Sequence, residues 1–279
     1  MPGVDDNLVT EGLGAFDEIE ELGKGSFGTT FRVRRGDDEY AVKVIHADEM
    51  PSFLWDREIG ALSRVEHPNV VAFRESGFFE ADGNDYPYLT CEYIDGGSVA
   101  RNLEAGKRPE DGDTLREMLT GLLVGVAEIQ DLGIIHRDIK PANVALRDCD
   151  WGKPVLLDFG LAKVLDMSSH TAIGARVGTT RYMSPEQLRG KPARRRSDLF
   201  ALGVTVYEAG TGTHPFMDQA VNTVQSLHDR IRQPTTPQDP RELAEVWPDD
   251  VADVVMRLLS YTAHERLGIT QALRDLEGN

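Results

Sequence analysis

Cysteine is nearly absent: Cys91 and Cys149 are the only two in 279 residues. Two thiols cannot make a disulfide framework, and no four-ligand cysteine/histidine spacing surrounds them, which excludes a structural zinc module and fits a reducing cytoplasm. Long apolar runs are missing too. The longest, around Leu122 to Ile129, is far below the roughly 18 residues a membrane span needs, and Met1 to Thr10 is acidic where a secretory signal would be basic. Positive charge is scarce: 30 lysines and arginines face 47 aspartates and glutamates, a formal net charge of -17. That balance argues against nonspecific binding to nucleic acid or to an anionic membrane. Internal repeats and low-complexity tracts are also lacking. What remains reads as a soluble chain, 40% apolar, large enough for one big domain or two small lobes.

The first 15 residues form an acidic, glycine-containing leader with no expected stable structure, so folding is expected to begin at Phe16. Strand texture follows over Ile19 to Leu22, Thr29 to Arg35 and Tyr40 to Ile45, the last two joined by a Gly36-Asp37-Asp38 turn. One helix is expected over about Phe53 to Arg64, stopped by His67-Pro68-Asn69. After Gly96-Gly97 the texture turns helical. Leu115, Met118, Leu119, Leu122, Leu123, Val126 and Ile129 recur at three- and four-residue steps, and Thr114 with Glu117 makes a candidate capping box. Further helices are expected at Asp198 to Glu208, at Asp249 to Leu259 and after Thr270. The fold class is therefore α+β: a small β-rich N-lobe over 16–94, a hinge at about 92–97 and a larger, mainly helical C-lobe over 98–276.

The first chemical signal is Gly23-Lys24-Gly25-Ser26-Phe27-Gly28, which lies between two strands rather than opening a helix. Such a loop is either a plain glycine hairpin or a lid whose backbone N–H groups approach phosphate oxygens. Fifteen residues past Gly28, Lys43 sits mid-strand in the run Ala41-Val42-Lys43, and another fifteen on, Glu58 sits on the expected helix. In a chain with only seven lysines, a lysine in an apolar strand asks for a counter-charge. A structural ion pair and a phosphate-orienting pair both fit these two residues.

The third stretch is His136-Arg137-Asp138-Ile139-Lys140-Pro141-Ala142-Asn143, followed by Asp158-Phe159-Gly160, Gly178-Thr179 and Ser184-Pro185-Glu186. Together and in this order, these motifs resemble the eukaryotic-like (Hanks-type) Ser/Thr protein kinase family from Phe16 to about Leu276. The wording Tyr182-Met183-Ser184-Pro185-Glu186-Gln187 looks more like its bacterial members.

The resemblance implies a bilobal protein kinase fold and transfer of the γ-phosphate of ATP, brought with Mg2+ or Mn2+, to protein Ser/Thr hydroxyls. It makes Asp138 the acceptor of the hydroxyl proton and Lys140 a cation beside the γ-phosphate. Lys43, held by Glu58, orients the α- and β-phosphates, while Asn143 and Asp158 bind metal. Glycine-loop residues Gly23, Gly25, Ser26, Phe27, Gly28 and Thr30 cover the nucleotide. The adenine pocket falls on Leu22, Ala41, Cys91, Glu92, Ile94, Ala145 and Leu157, with Glu92 and Ile94 offering backbone hydrogen bonds. Thr30 stands where the family has valine, and Ala145 where a larger aliphatic usually supports the base, so both bear on nucleotide affinity rather than on chemistry. His136 and Asp198 are expected to be structural, as is a Glu186–Arg266 ion pair.

Arg137 before the catalytic Asp implies an electrostatic latch for a phosphorylated activation loop, with Ser168, Ser169 and Thr171 as candidate autophosphorylation sites. Thr179 is better read as a hydrogen-bond partner of Asp138 and Lys140. A run of Arg189, Lys191, Arg194, Arg195 and Arg196 stands out in an acidic chain; it is either a landing site for an acidic partner or a solvated loop with local salt bridges. The alternative to an active kinase is a pseudokinase or nucleotide-binding scaffold, and a small-molecule phosphotransferase is a third reading. The expected partners are protein substrates and an activating or docking protein, without nucleic acid or membrane. The chain ends about where the family's core ends, as either a minimal cytoplasmic kinase or a piece cut from something longer would.

Overall fold

Alternation of apolar and polar side chains over Thr30 to Arg34 and over Val42 to Val44 organises the first part of the fold. The computed structural model describes residues 4–25, 28–45, 59–60, 63–158 and 179–278. Ser26, Phe27, Glu58, Ser168, Ser169, Thr171 and most of the helix expected over Phe53 to Arg64 lie outside the described residues. The chain divides into two compact units. One holds the residues up to Glu66 together with Val71–Tyr93; the other holds His67–Val70 and the described residues from Ile94 onward.

In the first unit, β1 (Glu18–Gly25), β2 (Gly28–Arg35), β3 (Asp38–Ile45), β4 (Phe73–Ala81) and β5 (Asn84–Glu92) form an antiparallel sheet in the order β1-β2-β3-β5-β4. The register sets Thr30 opposite Lys43, Phe31 opposite Val42, Lys43 opposite Leu89 and Ala41 opposite Cys91. Because neighbouring residues point to opposite faces, Thr30, Ala41, Lys43, Leu89 and Cys91 share one face. Phe31, Val33, Val42 and Val44 line the other, where they form a buried core with Phe79, Ala81 and Tyr86.

That second core is closed by an element absent from the sequence expectation. The leader does not lack structure: Asp6–Leu13 is a helix, α1. Asp5 caps it, its Oδ1 accepting from Leu8 N at 3.0 Å. Val4 and Val9, at the positions before the cap and four residues after it, form a hydrophobic staple, and both are buried with Leu8 against the sheet. The acidic residues hid this pattern, although Asp5 and Asp6 favour a helix start for the same reason that they look like a solvated leader.

The second unit contains α2 (Val99–Glu104), α3 (Gly112–Asp131), the β6 (Val144–Leu146) and β7 (Pro154–Leu156) hairpin, α4 (Pro185–Leu188), α5 (Arg195–Thr211), α6 (Val224–Ile231), α7 (Asp249–Leu258) and α8 (Ile269–Leu276). The seven apolar residues expected on one face of α3 are all fully buried. The cap, however, is Asp111, which accepts from Thr114 N at 2.7 Å, and not Thr114. Its carboxylate acceptor and extended backbone suit the cap, and the helix starts a turn early. Gly121 and Gly125 on α3 let Asn69 approach: a Cβ at Gly125 would lie 2.9 Å from the Asn69 carbonyl oxygen. No described helix is long and apolar enough to cross a membrane.

A buried ion pair ties α4 to the C-terminal part of this unit. Arg266, with no side-chain exposure, donates to both Glu186 carboxylate oxygens at 2.7 and 2.8 Å. Its remaining donors reach the carbonyls of Ser260, Arg196 and Tyr261, and its guanidinium lies over the Phe200 ring. Burial pushes the Glu186 carboxyl up, but the Arg266 hydrogen bonds and charge, helped by Ser197, outweigh it and bring it from the usual 4.5 down to about 2.

Two outcomes follow. Leu8→Ala should lower the unfolding free energy by about 2–5 kcal/mol, read from urea midpoints, whereas a leader without structure would give a change within about 0.5 kcal/mol. Arg266→Met should cost about 3–5 kcal/mol at neutral pH, because it leaves a carboxylate buried without its partner. The Glu186 contribution is complete above pH 4.5 and is lost as pH falls through about 2, so the gap between wild type and variant should narrow on acidification. A gap independent of pH would show that Glu186 is not its source.

Candidate active site

The segment from His136 to Asn143 follows α3 as an irregular loop, and its shape is set from below. Asp198, near the start of α5 and 1% exposed, accepts from His136 N at 2.9 Å and from Arg137 N at 2.8 Å. Arg137 takes a left-handed φ of 68°, which costs a non-glycine residue about 1–3 kcal/mol unless its surroundings hold it. The Asp198 carboxylate supplies that hold. Burial pushes its carboxyl up, opposed by His136, the two backbone donors and the Gln130 amide. His136 is fully buried, and its Nδ1 faces Asp138 N at 3.4 Å. It is packed beneath the loop and does not present its ring to solvent.

Asp138 has two unlike carboxylate oxygens. Oδ2 accepts from Lys140 Nζ at 2.8 Å and from Asn143 Nδ2 at 2.9 Å. The same Asn143 nitrogen donates to the Asp138 carbonyl at 2.8 Å, so the carboxylate is oriented through two contacts to one side chain. Oδ1 is buried and has no hydrogen-bond partner among the described residues. An acceptor held at one oxygen and unsatisfied at the other has the remaining capacity to take a proton from a hydroxyl brought to it.

Asn143 and Asp158 are joined by the β6–β7 hairpin, in which Val144 pairs with Leu156. Leu157 N donates to the Asn143 carbonyl at 2.9 Å, which sets Asp158 just beyond the end of β7. Asp158 also has a left-handed φ, 57°. Ala145 is buried on β6 and bridges to Ser98, the cap of α2. Ile94, buried, begins the chain's entry into this unit. Leu157 is partly buried.

In the first unit, Gly25 pairs with Gly28 at the tip of the β1–β2 hairpin. Gly28 has a packing reason to be glycine: a Cβ there would sit 2.1 Å from the Val44 carbonyl oxygen. Leu22, 40% exposed, lies at a register irregularity between Glu21 and Gly23. Lys43 is 8% exposed and shares its sheet face with Thr30, Ala41 and Cys91. Glu92 closes β5, exchanging backbone and side-chain contacts with Ala72.

Beyond the candidate residues, the structure assigns contacts that sequence reasoning missed. Gln130 is 4% exposed and, besides contacting Asp198, exchanges hydrogen bonds with Arg195. A glutamine after Ile129 at the end of an apolar helix was its one signal. Tyr182, after the turn Thr179–Tyr182, donates to Glu208 Oε2 at 2.9 Å. Burial, then the Glu208 charge, pushes the Tyr182 hydroxyl up, and burial lowers the neighbouring His214 to about 4. The Tyr182 hydroxyl and the His214 ring, both neutral at pH 7, anchor the segment before α4.

Residues 16–276 match the family model described as protein kinase domain. Among curated proteins, the chain is 33% identical over 264 residues to the DNA damage-responsive serine/threonine-protein kinase RqkA of Deinococcus radiodurans, covering 91% of this chain and 37% of that protein. It is 35% identical over 249 residues to the probable serine/threonine-protein kinase PkwA of Thermomonospora curvata, covering 87% and 31%. It is 35% identical over 226 residues to the probable serine/threonine-protein kinase PknB of Corynebacterium glutamicum, covering 77% and 33%. The chain thus spans about a third of the length of these relatives. With its antiparallel sheet, its helical second unit and its match over residues 16–276, the chain belongs to the protein kinase domain family, alongside bacterial serine/threonine members.

Proposed function

We propose that this chain transfers the γ-phosphoryl group of ATP to serine and threonine hydroxyls of proteins. The observation that carries the reading is the Asp138 carboxylate, held through Oδ2 by Lys140 and Asn143 and left without a hydrogen-bond partner among the described residues at Oδ1. Phosphoryl transfer asks little covalent chemistry of the protein, so positioning and charge do most of the catalysis. Asp138 aligns the acceptor hydroxyl and takes its proton. Lys140, already at the Asp138 carboxylate, is a cation for charge that builds on the transferring group. Lys43, buried on the sheet face it shares with Thr30 and Ala41, orients the α- and β-phosphates.

The donor set fits magnesium. Asn143 and Asp158 offer hard oxygen ligands from adjacent ends of one hairpin, and Mg2+ commonly takes one or two such protein ligands and fills its octahedron with phosphate and water. Among the described residues no cluster of three or more His, Cys, Asp or Glu side chains forms an all-protein cage. When bound, the ion supplies neutralisation of phosphate charge.

The reading includes autophosphorylation at Ser168, Ser169 or Thr171, with Arg137 receiving the phosphate, and action in the cytoplasm on protein substrates. It draws support from the family match and from relatives named as serine/threonine-protein kinases.

Asp138→Asn should lower transfer of labelled γ-phosphate by about 10²–10⁴-fold while leaving nucleotide affinity unchanged. Equal transfer by wild type and variant would remove Asp138 from its role, and nucleotide binding without transfer in the wild type would favour a scaffold. Intact-mass and peptide mapping after incubation with ATP should find phosphate between Ser168 and Thr171; its absence there would reject the autophosphorylation sites.

A further inference from the structure

The loop between α4 and α5, with the first two residues of α5, carries Arg189, Lys191, Arg194, Arg195 and Arg196 and no acidic residue, in a chain of net charge -17. Among the described residues, none of these five has a carboxylate within ion-pair distance. Five other arginines of the unit, Arg230, Arg232, Arg241, Arg257 and Arg266, each have one. Four carboxylates of this unit have partners of their own. Glu186 is taken by Arg266, Asp198 by backbone amides, Asp229 by Arg232 and Asp218 by Arg230. Local salt bridges therefore do not explain the run.

Arg189, Lys191, Arg194 and Arg195 are exposed, yet two of them are held in place. Arg189 stacks over the Tyr261 ring at 4.5 Å and donates to the Arg232 carbonyl at 2.7 Å. Arg195 donates to the Gln130 carbonyl at the end of α3, also at 2.7 Å. A guanidinium fixed on an aromatic face loses little freedom when its outer N–H edge meets a carboxylate. The loop also starts and ends next to the catalytic segment. Gln187 and Ser197, its two flanks, line one small cavity with Arg137 and Asp138.

We propose that this cationic loop docks an aspartate- and glutamate-rich segment of a protein substrate, lying beside the residue to be phosphorylated. The inference rests on the phosphotransfer reading for its purpose, but not for the binding itself. A short acidic peptide suits the surface better than nucleic acid does. Nucleic-acid binders commonly neutralise about 6–10 phosphates along an extended path, whereas this patch offers five cations within an otherwise repelling field.

The test uses the full chain and a labelled ten-residue peptide rich in Asp and Glu, with its Asn/Gln counterpart, followed by fluorescence anisotropy. The acidic peptide should bind, its counterpart should not, and raising salt from about 0.05 to about 0.5 M should weaken binding. Lys191→Gln/Arg194→Gln should weaken it by about tenfold, and the charge-keeping pair Lys191→Arg/Arg194→Lys should restore it. In transfer assays an acceptor peptide with an acidic tail should show a lower KM than the tailless peptide, and the Gln variant should lose that difference with kcat unchanged. Equal binding of the acidic and neutral peptides, or no effect of the Gln pair, would overturn the proposal. Tighter binding of a short oligonucleotide than of the acidic peptide would overturn the choice of a polypeptide. Transfer absent from every acceptor, with charge-dependent peptide binding intact, would reject the phosphotransfer reading and leave the docking surface standing.

Discussion

The carboxylate of Asp198 is the contact on which the segment from His136 to Asn143 depends. Two consecutive amides, of His136 and Arg137, point at it, and they can do so only because Arg137 adopts a left-handed backbone. Without the acceptor, both amides would be buried unpaired and the strain at Arg137 would have no compensation. Asp138 follows directly, so its carboxylate direction is inherited from this arrangement. Lys140 and Asn143 then complete the orientation from the other side.

A charge so deeply buried needs a rigid support, and α5 provides it. From Ser197 to Thr211 the helix is buried on nearly every face, as expected of an element at the centre of a unit rather than at its surface. Two of its buried threonines, Thr205 and Thr211, are satisfied by carbonyls one turn back. Gln130 joins this support from α3, and the Glu186–Arg266 pair fixes α4 to the C-terminal residues. The first unit is built differently: its sheet buries both faces, one carrying Lys43 and the other covered by α1.

Much of this was legible in the sequence. The period of α3, the strands β2 and β3, and the order of the motifs around Lys43, Asp138, Asn143 and Asp158 can be read without coordinates, because local periodicity and fixed spacing carry them. The same holds for the Glu186–Arg266 pair, which the family resemblance implied. Features that depend on distant partners were not legible. The helix α1 looked like a leader because its acidic residues dominate a short segment, while Val4, Leu8 and Val9 gain their meaning only from the sheet they cover. Asp111 was passed over as a cap for Thr114, since both residue types favour that position. Gly28 and Gly125 were readable as glycines but not as close approaches to Val44 and Asn69. The isolation of the Arg189 to Arg196 run was hidden for the same reason: pairing is a property of neighbours in space.

The account rests on Asp198 holding the loop that carries Asp138, and hydrogen exchange at the His136 and Arg137 amides measures that directly. Both amides should be among the most protected outside the regular helices and strands, and both should lose protection in Asp198→Asn while the amides of α3 keep theirs. Exchange of the two amides at the rate of exposed loops in the wild-type protein would contradict the account.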